Sequence, residues 1–154
     1  MRLLVQRVRE ARVLVAGETV GAIGPGLLVF VGISHDDDEA TVEAMWTKLH
    51  GLRIFEDEEG RTNLDLETVG GSLLLVSQFT LYADCRKGRR PSFTDAASPD
   101  RAEALCERLA ELARATGVEV ATGQFGARME VRLINDGPFT IWLDSGEVLA
   151  GRRR

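Results

Sequence analysis

The sequence predicts a single α/β or α+β domain built on a mixed β-sheet, and three observations support this prediction. The chain has 154 residues, a normal length for one domain with a sizeable core. Hydrophobic residues make up 44% and charged residues 28% of the sequence, as in ordinary globular proteins. Segments with the two-residue alternation of strands outnumber helical segments, and two amphipathic helices interrupt them. We therefore expect residues 1–154 to form one domain.

The first predicted strand begins with RLLVQRVR and carries an unexpected arginine. Alternation places Leu3, Val5 and Arg7 on one face, so Arg7 lies among apolar side chains. One interpretation is a strand end that reaches solvent. The other is a buried guanidinium that holds backbone carbonyl groups, for which its fixed fork of donors is suited.

The next segments predict a hairpin, a buried strand and a helix. ARVLVAGETVGAIG is typical of a hairpin around Gly17, and the apolar run Gly26 to Ile33 is typical of a buried strand. SHDDDEATVEAMWTKLHG then predicts a helix with the aspartates at its N-terminus and His50 in its last turn. Its inward stripe consists of Val42, Met45, Trp46 and Leu49.

The second half predicts more strands and the second helix. LRIFEDEEGRTNLDL indicates a short strand and a turn at Glu59–Gly60, and SLLLVSQFTLYAD (72–84) indicates the strongest strand of the chain. In SPDRAEALCERLAELARATG we expect Ser98 to cap a helix, Pro99 to occupy its first turn and Gly117 to end it. ARMEVRLINDGPFTIWLDS predicts a hairpin whose turn is NDGPFT (135–140), because Asn, Asp, Gly and Pro all favour turns.

Composition and charge exclude several classes of protein. The net charge of −5 and a pI near 5.1 argue against a protein that coats nucleic acid without specificity. No apolar run approaches the roughly 18 residues of a membrane span, and the N-terminus lacks the apolar centre of a signal peptide. We expect a cytoplasmic protein that does not bind membranes. The basic tail, 151–154, is expected to be frayed.

One local basic segment stands out against the acidic background. CRKGRRP contains Arg86, Lys87, Arg89 and Arg90, which form either a solvated loop or a patch that binds phosphates. Cys85 lies beside these cations, which could lower its thiol pKa, but no histidine is near in sequence to act as a base.

The usual catalytic signatures are missing from the sequence. It has no GxSxG, HExxH, paired CxxC or P-loop motif, and neither His35 nor His50 is a convincing general base. No spacing predicts a metal site, and we expect no cofactor. The unusual feature is SQFTL, where Ser77, Gln78 and Thr80 interrupt an apolar strand. On strand alternation Gln78 and Thr80 share one face, either at a reaction centre or at a sheet edge.

These motifs carry a resemblance that runs nearly end to end. LLVSQFTLYAD followed by KGRRPSF, and TGQFGARMEVRLINDGPFTIWLDS, resemble the D-aminoacyl-tRNA deacylase family. MRLLVQRV, GPGLLVFVGI and LRIFEDEEGRTNLDL add to the match. The two diagnostic motifs of the family, an SQxTL strand and an NxGP turn, are both intact. The departure is Phe139, which is bulkier than the valine expected after Gly-Pro.

The resemblance implies a fold, an activity and an assembly. The fold would be a mixed, barrel-like sheet with two main helices in three layers. The protein would be a homodimer with active sites at the subunit interface, and it would hydrolyse the ester between a D-amino acid and the 3′-terminal adenosine of tRNA. The expected residues are Ser77, Gln78, Phe79 and Thr80 at the reaction centre, Gly137 and Pro138 as a cis dipeptide that enters the partner's pocket, and Arg7 as its support.

Other roles follow from this implied activity. Phe125, Gly126 and Met129 would hold the terminal adenosine, and Arg86, Lys87, Arg89 and Arg90 would contact tRNA phosphates. Backbone N–H groups near Phe79 and Thr80 would stabilise the oxyanion, while the ribose 2′-hydroxyl would position the water.

The selectivity follows from the same reasoning, and three alternatives remain. A rigid Gly-Pro unit would reject L-amino acids by exclusion, so Gly-tRNA should also be hydrolysed. The alternatives are nucleophilic attack by Thr80, a deacylase that edits mischarged L-amino acids, and a non-catalytic module that binds the tRNA end.

Overall fold

The computed structural model describes residues 1–152, which form eight strands, three α-helices and two short 3₁₀ segments. The strands are β1 (Arg2–Val15), β2 (Glu18–Ile23), β3 (Gly26–Gly32), β4 (Phe55–Glu56), β5 (Thr62–Leu64), β6 (Ser72–Ser77), β7 (Val120–Thr122) and β8 (Glu130–Asp144). The α-helices are α1 (Glu39–His50), α2 (Pro99–Ala115) and α3 (Ser145–Val148), and the 3₁₀ segments are Phe79–Tyr82 and Ala150–Arg152. The prediction of a frayed tail concerns Arg153 and Arg154, which lie outside the described residues.

The main sheet is mixed, as the sequence predicts. Its order is β2-β1-β3-β6-β7, and β8 pairs with β1. β1 runs antiparallel to its three neighbours, whereas β3, β6 and β7 are mutually parallel. β2 and β7 approach each other so closely that a Cβ atom added at Gly21 would collide with the carbonyl of Thr122. The sheet is therefore nearly closed into a barrel, and the expectation of a barrel-like α/β fold is confirmed.

Apolar side chains form two cores on the two faces of this sheet. The larger core packs α1 and α2 against the sheet and contains Leu3, Val29, Met45, Leu73 and Leu109. The smaller core includes Val8 and Val13 of β1, together with Leu28 and Leu74, which alternate in sequence with members of the larger core. Helices, sheet and inner core give a layered molecule whose strand ends carry the site residues.

Both helices form where the sequence predicts them, with two corrections at their caps. In α1 only Asp38 caps, because its carboxylate accepts the N–H of Thr41 at 2.9 Å. Asp37 turns inward instead, where it accepts from the α-amino group of Met1 at 2.6 Å and from the N–H of Ser34 at 2.7 Å. At the start of α2, Ser98 occupies the cap position but its hydroxyl makes no capping hydrogen bond.

The strand predicted over residues 72–84 is shorter in the structure. β6 ends at Ser77, and the next residues form a single turn of 3₁₀ helix, Phe79–Tyr82, called the site turn. The run of apolar residues ends at the same place, since Phe79 is 57% exposed. The sequence predicted a longer strand because Leu81 and Tyr82 are also apolar. In the structure these two residues belong to the 3₁₀ turn and pack against Gly32 of β3.

The hairpin predicted around residues 135–140 is wrong. β8 is one strand from Glu130 to Asp144, and both of its halves pair with β1 in the same antiparallel sense. Gln6 pairs with Thr140 and Val8 with Asn135, so the segment between them loops out opposite Arg7. We call this segment, Asp136–Phe139, the bulge. Turn residues serve here to interrupt a strand rather than to reverse it.

Candidate active site

The polar residues that follow β6 lie at the junction of two conformations. Ser77 pairs with Val31 of β3, and the N–H of Gln78 donates to the Val31 carbonyl at 2.8 Å. The site turn then begins, with the N–H of Leu81 bonded to the carbonyl of Gln78 at 3.2 Å. Among residues 1–152, the N–H groups of Phe79 and Thr80 contact no hydrogen-bond acceptor. Two backbone donors are therefore available to a ligand.

The side chains of the same motif pair with each other. The amide group of Gln78, which is half-buried, donates to the hydroxyl of Thr80, which is exposed. Gln78 and Thr80 thus lie on the same side, as predicted, but they do so at the start of a 3₁₀ turn and not along a strand. An amide cannot take a proton from a hydroxyl, so this contact gives Thr80 no base that would make it a nucleophile.

A cavity of about 620 Å³ opens beside the site turn. Apolar side chains dominate its wall, which is formed by the ends of β3 and β6, the start of α2 and the loop before β8. Ser77, Gln78 and Phe79 line it, and the ring of Phe79 contacts Phe93 edge to face at 5.1 Å. A cavity of this size accommodates a nucleoside with a small attached group.

The expected adenosine residues lie in the same cavity. Phe125, Gly126 and Met129 all belong to its wall, so the fold brings two distant parts of the sequence together. Gly126 adopts a φ of +75°, which allows the loop to turn along the wall. Thr80 lies outside the lining, although it follows Phe79 directly.

The cavity wall offers no side-chain base. Among the described residues that line it, none is Asp, Glu, His, Lys or Arg. Cys106 lines it too, but burial raises the pKa of this thiol to about 12, so it stays protonated at neutral pH. The polar side chains that the wall does contain are the hydroxyl of Ser77 and the amide of Gln78, neither of which is a general base at neutral pH.

Arg7 confirms the interpretation as a buried guanidinium. Its side chain is 7% exposed, its Nε donates to the carbonyl of Asp136 at 3.0 Å, and its Nη1 donates to the carbonyl of Ile54 at 2.6 Å. The aromatic ring of Phe139 lies 4.7 Å from the guanidinium carbon, a favourable arrangement for a cation. The departure from the family pattern at position 139 thus contributes a contact to Arg7.

The bulge itself is closely held. The Gly137–Pro138 peptide bond is cis, and Gly137 has a φ of +141°. A Cβ atom at Gly137 would lie 3.0 Å from Nη2 of Arg7. Asn135 closes the base of the bulge, because its amide donates to the carbonyls of Arg7 at 3.0 Å and Phe139 at 3.1 Å. Sequence reasoning treated Asn135 only as a turn former, and its position at the base of an NxGP motif was the available signal.

The bulge and the cavity of one chain lie apart. Arg7 pairs with Leu27 of β3, whereas the cavity residue Ser77 pairs with Val31 of the same strand. Four residues of strand correspond to roughly 13 Å, and the bulge lies beyond β1 on the side away from β3. Gly137 and Pro138 do not line the cavity.

The basic residues form an exposed loop next to the site turn. Asp84 and Ser92 exchange backbone hydrogen bonds at 2.7 and 2.9 Å and close the loop. Asp84 also pairs with Arg86 at 2.7 Å, and this hydrogen bond lowers the pKa of the carboxyl group to about 2. Within residues 1–152, Lys87, Arg89 and Arg90 form no ion pair. Three cations of this loop therefore remain available to an anionic partner.

The described residues hold neither a metal-binding cluster nor a membrane-spanning helix. Residues 1–152 contain no group of three His, Cys, Asp or Glu side chains arranged to hold a metal ion. In the same part of the chain, no helix is long and apolar enough to cross a membrane.

Comparison with known proteins gives one consistent result. The family model described as D-Tyr-tRNA(Tyr) deacylase matches residues 4–144. A D-aminoacyl-tRNA deacylase of Thermotoga petrophila is 57% identical over 96% of this chain and 99% of its own length. A protein of the same name from Thermomicrobium roseum is 59% identical over 98% of both chains.

Solved structures agree on the fold. The structure titled c-Myc DNA Unwinding Element Binding Protein superimposes with a TM-score of 0.88 at 40% identity, covering 94% of this chain and 98% of the other. A probable eukaryotic D-amino acid tRNA deacylase has a TM-score of 0.81 over 93% of this chain and 98% of its own; at 23% identity it supports the fold alone.

Proposed function

The chain belongs to the D-Tyr-tRNA(Tyr) deacylase family, and from this membership we propose how it hydrolyses the ester bond of D-aminoacyl-tRNA. The protein is an aminoacyl-tRNA ester hydrolase. Its products are a free D-amino acid and a tRNA that can be charged again. Aminoacyl-tRNAs are used in the cytoplasm, which is the location that this activity implies.

The proposed mechanism rests on one observation. The cavity is lined by no side chain that can act as a general base, but two backbone N–H groups beside it have no hydrogen-bond acceptor among the described residues. An aminoacyl ester is already activated, so the protein needs mainly to stabilise the charge that develops on the carbonyl oxygen. We assign this role to the N–H groups of Phe79 and Thr80, which contact no acceptor among the described residues. A donor of this kind contributes about 3–4 kcal/mol in comparable enzymes.

The attacking water is positioned by the substrate in this proposal. The 2′-hydroxyl of the terminal ribose lies next to the ester and can orient the water, which explains how the cavity works without histidine or carboxylate. Phe125, Gly126 and Met129 hold the adenosine so that this hydroxyl faces the site turn. Thr80 acts through its backbone, and its hydroxyl stays bonded to Gln78.

The central test compares D-Tyr-tRNA and L-Tyr-tRNA as substrates of the purified protein. Ester loss from the D-form alone supports the proposal. Equal loss from both forms indicates a deacylase that also edits L-amino acids, and loss from neither indicates a binding module. Replacing the terminal ribose by 2′-deoxyribose should slow hydrolysis at least 100-fold, whereas Thr80→Val should retain most activity; the reverse pattern means that Thr80 is the nucleophile.

We further propose that the protein is a homodimer in which each bulge enters the cavity of the partner. Three features support this arrangement. The bulge lies away from the cavity of its own chain, and β8 pairs only with β1 among the described strands. This strand also exposes two large apolar side chains, Ile134 at 50% and Trp142 at 44%, which a second subunit would cover.

The bulge would then select chirality by exclusion. The carbonyls of Gly137 and Pro138 belong to the backbone and cannot swing aside as a side chain can, and Arg7 and Asn135 fix the segment that carries them. An L-side chain would collide with them, whereas a D-side chain would point away. Glycine has nothing to exclude, so Gly-tRNA should be hydrolysed at a measurable rate. A dimer that clears D-Tyr-tRNA but leaves Gly-tRNA intact contradicts exclusion as the only filter.

The basic loop, Arg86–Arg90, is assigned to the tRNA backbone. It follows the site turn by a few residues, and its cations can contact phosphates without reading sequence. Such contacts suit an enzyme that serves many tRNAs.

A further inference from the structure

The site turn is too short to hold its own shape. A single turn of 3₁₀ helix has few internal hydrogen bonds, and here the carbonyls of Gln78 and Thr80 accept at 3.2 and 3.0 Å. The direction in which the N–H groups of Phe79 and Thr80 point therefore depends on the surface against which the turn packs.

One side of that surface is β3. A Cβ atom at Gly32 would lie 2.9 Å from Cβ of Leu81 and 3.3 Å from the ring of Tyr82, so the turn packs directly on bare backbone. The ring of Tyr82 is 8% exposed. This contact fixes the distance between the site turn and β3. Because it is apolar and has no preferred direction, it does not fix where the turn lies along the strand.

The other side is a single guanidinium. Nη1 of Arg2 donates to the carbonyl of Leu81 at 2.9 Å, and its guanidinium carbon lies 4.4 Å above the centre of the Tyr82 ring. The first contact is directional and the second restricts the ring, so together they prevent the sliding that β3 allows. Arg2 thus contacts the last two residues of the turn.

Arg2 is itself held from β8. Its Nε donates to Asp144 at 2.8 Å, and its guanidinium carbon lies 5.6 Å from the ring of Trp142. The planar guanidinium therefore connects the end of β8 to the site turn through two different nitrogens, an arrangement that lysine cannot reproduce.

We propose that Arg2 is a positioning residue for hydrolysis, which holds the site turn so that the backbone donors of Phe79 and Thr80 meet the carbonyl oxygen of the ester. This inference rests on the proposed function. Arg2 contacts no cavity residue and no reacting atom, and it acts through Leu81 and Tyr82. Loss of the tie should affect the transition state, where donor alignment matters, more than the binding of tRNA.

The test measures kcat and KM for D-Tyr-tRNA with Arg2→Gln, Arg2→Lys and Asp144→Asn. We expect kcat to fall at least tenfold in Arg2→Gln with KM within twofold of wild type. Arg2→Lys keeps the charge but not the fork, so its kcat should stay at least fivefold low. Arg12→Gln, an exposed arginine on the same strand, is the matched control and should behave like wild type.

Three results would overturn the proposal. These are an unchanged kcat in Arg2→Gln, full recovery by lysine, or a rise in KM that accounts for the whole loss. If Arg2→Gln does not fold, Asp144→Asn decides, since it leaves the guanidinium in place and removes the negative charge that holds it, while the asparagine oxygen can still accept from the N–H of Gly146 at the start of α3. A kcat equal to wild type then contradicts the positioning role of Arg2. Failure of wild type to hydrolyse D-Tyr-tRNA would instead contradict the proposed function.

Discussion

Arg7 places a permanent charge inside the molecule, and its contacts explain how the fold tolerates it. Two carbonyls accept its hydrogen bonds, the carboxylate of Asp136 lies 3.7 Å away, and the ring of Phe139 covers its face. A buried charge is destabilising unless such partners surround it. The bulge therefore supplies most of the partners that stabilise the buried Arg7, and Arg7 in turn holds the bulge in place.

Gly137→Ala tests the fit between this arginine and the bulge. The new Cβ would lie 3.0 Å from Nη2 of Arg7 on a backbone with a φ of +141°, which L-residues rarely adopt. We expect the free energy of unfolding to fall by about 1–3 kcal/mol and D-Tyr-tRNA hydrolysis to fall about 10- to 100-fold. Denaturant titration and deacylation assays measure both.

Gly24→Ala is the control for this change, because a Cβ atom at Gly24 meets nothing within 4 Å. It should leave both stability and hydrolysis near wild type. Normal D-Tyr-tRNA hydrolysis by Gly137→Ala would mean that the bulge takes no part in the reaction.

Cys106 predicts a loss of stability at alkaline pH. Burial raises its pKa from 9.0 to about 12, so the folded state binds the proton more tightly than the unfolded chain. A raised pKa contributes stability that is complete below pH 9 and is lost as the pH rises towards 12, by up to about 1.4 kcal/mol per pH unit. Burial also raises the pKa of Tyr82 from 10.0 to about 12, which adds loss above pH 10.

The variant Cys106→Ala separates the two groups. Its free energy of unfolding should depend less on pH than that of wild type from pH 9 to about 12, while the loss from Tyr82 above pH 10 remains in both proteins. Chemical denaturation across this range measures the slopes. Identical slopes from pH 9 to 10 would show that the thiol does not titrate differently in the folded state.

In β8 the sequence correctly predicted which side chains face the core but wrongly predicted a hairpin. Alternation correctly placed Val131 and Leu133, in the half of β8 before residues 135–140, towards the core. The local residues favour a turn, but pairing of both halves with β1 is a long-range property that no local pattern encodes. The same limit explains the early end of β6, because only packing on Gly32 distinguishes a 3₁₀ turn from a strand there.

The candidate site shows the same division. The SQFTL and NDGPFT motifs were identified from the sequence, and the burial of Arg7 was one of two interpretations. Phe93, Ile54 and Arg2 were missed, because each contributes through a contact with a residue distant in sequence. Residue type suggests a role only where the chemistry is unusual, and an arginine on the first strand or a phenylalanine in a loop is ordinary.

Asn135→Asp tests how the bulge joins its strand. The amide of Asn135 donates to two carbonyls, and a carboxylate at this position would face both of them without a proton to share. We expect a loss of about 2–3 kcal/mol in the free energy of unfolding, together with weaker discrimination between D- and L-Tyr-tRNA. Thermal and chemical denaturation measure the first effect, and paired deacylation assays the second.

Gln124→Glu is the matched amide-to-carboxylate control, since Gln124 is exposed. Its stability should stay within about 0.5 kcal/mol of wild type, the usual range for exposed substitutions. Equal losses in the two variants would argue against a special role for Asn135.

At the scale of the whole molecule, an acidic protein must bind a polyanion. The net charge is −5, so long-range forces oppose tRNA, and local cations must supply the attraction. The basic loop is placed to do so because it lies next to the site turn and leaves Lys87, Arg89 and Arg90 without ion pairs among residues 1–152.

Removing these charges should therefore change the salt dependence of binding. For the triple variant Lys87→Gln, Arg89→Gln, Arg90→Gln we expect weaker tRNA binding and a slope of log K against log salt that is shallower by about 2–3. The control is Lys48→Gln, Arg12→Gln, Arg61→Gln, which removes the same charge from exposed positions elsewhere. Equal slopes in the two triple variants would mean that the loop is only a solvated surface.

The bulge has a consequence for how such a protein can evolve. Val5 pairs with Ile141 and Ala11 with Leu133, so six steps along β1 match eight along β8. The excess is an even number, which leaves inward and outward positions in phase on both sides of the interruption. The bulge can thus gain or lose residues in pairs during evolution, and the flanking parts of β8 keep the same residues facing the core. Under the proposed role of the bulge in selecting chirality, a lineage could change its specificity by replacing this segment while the rest of the fold stays the same.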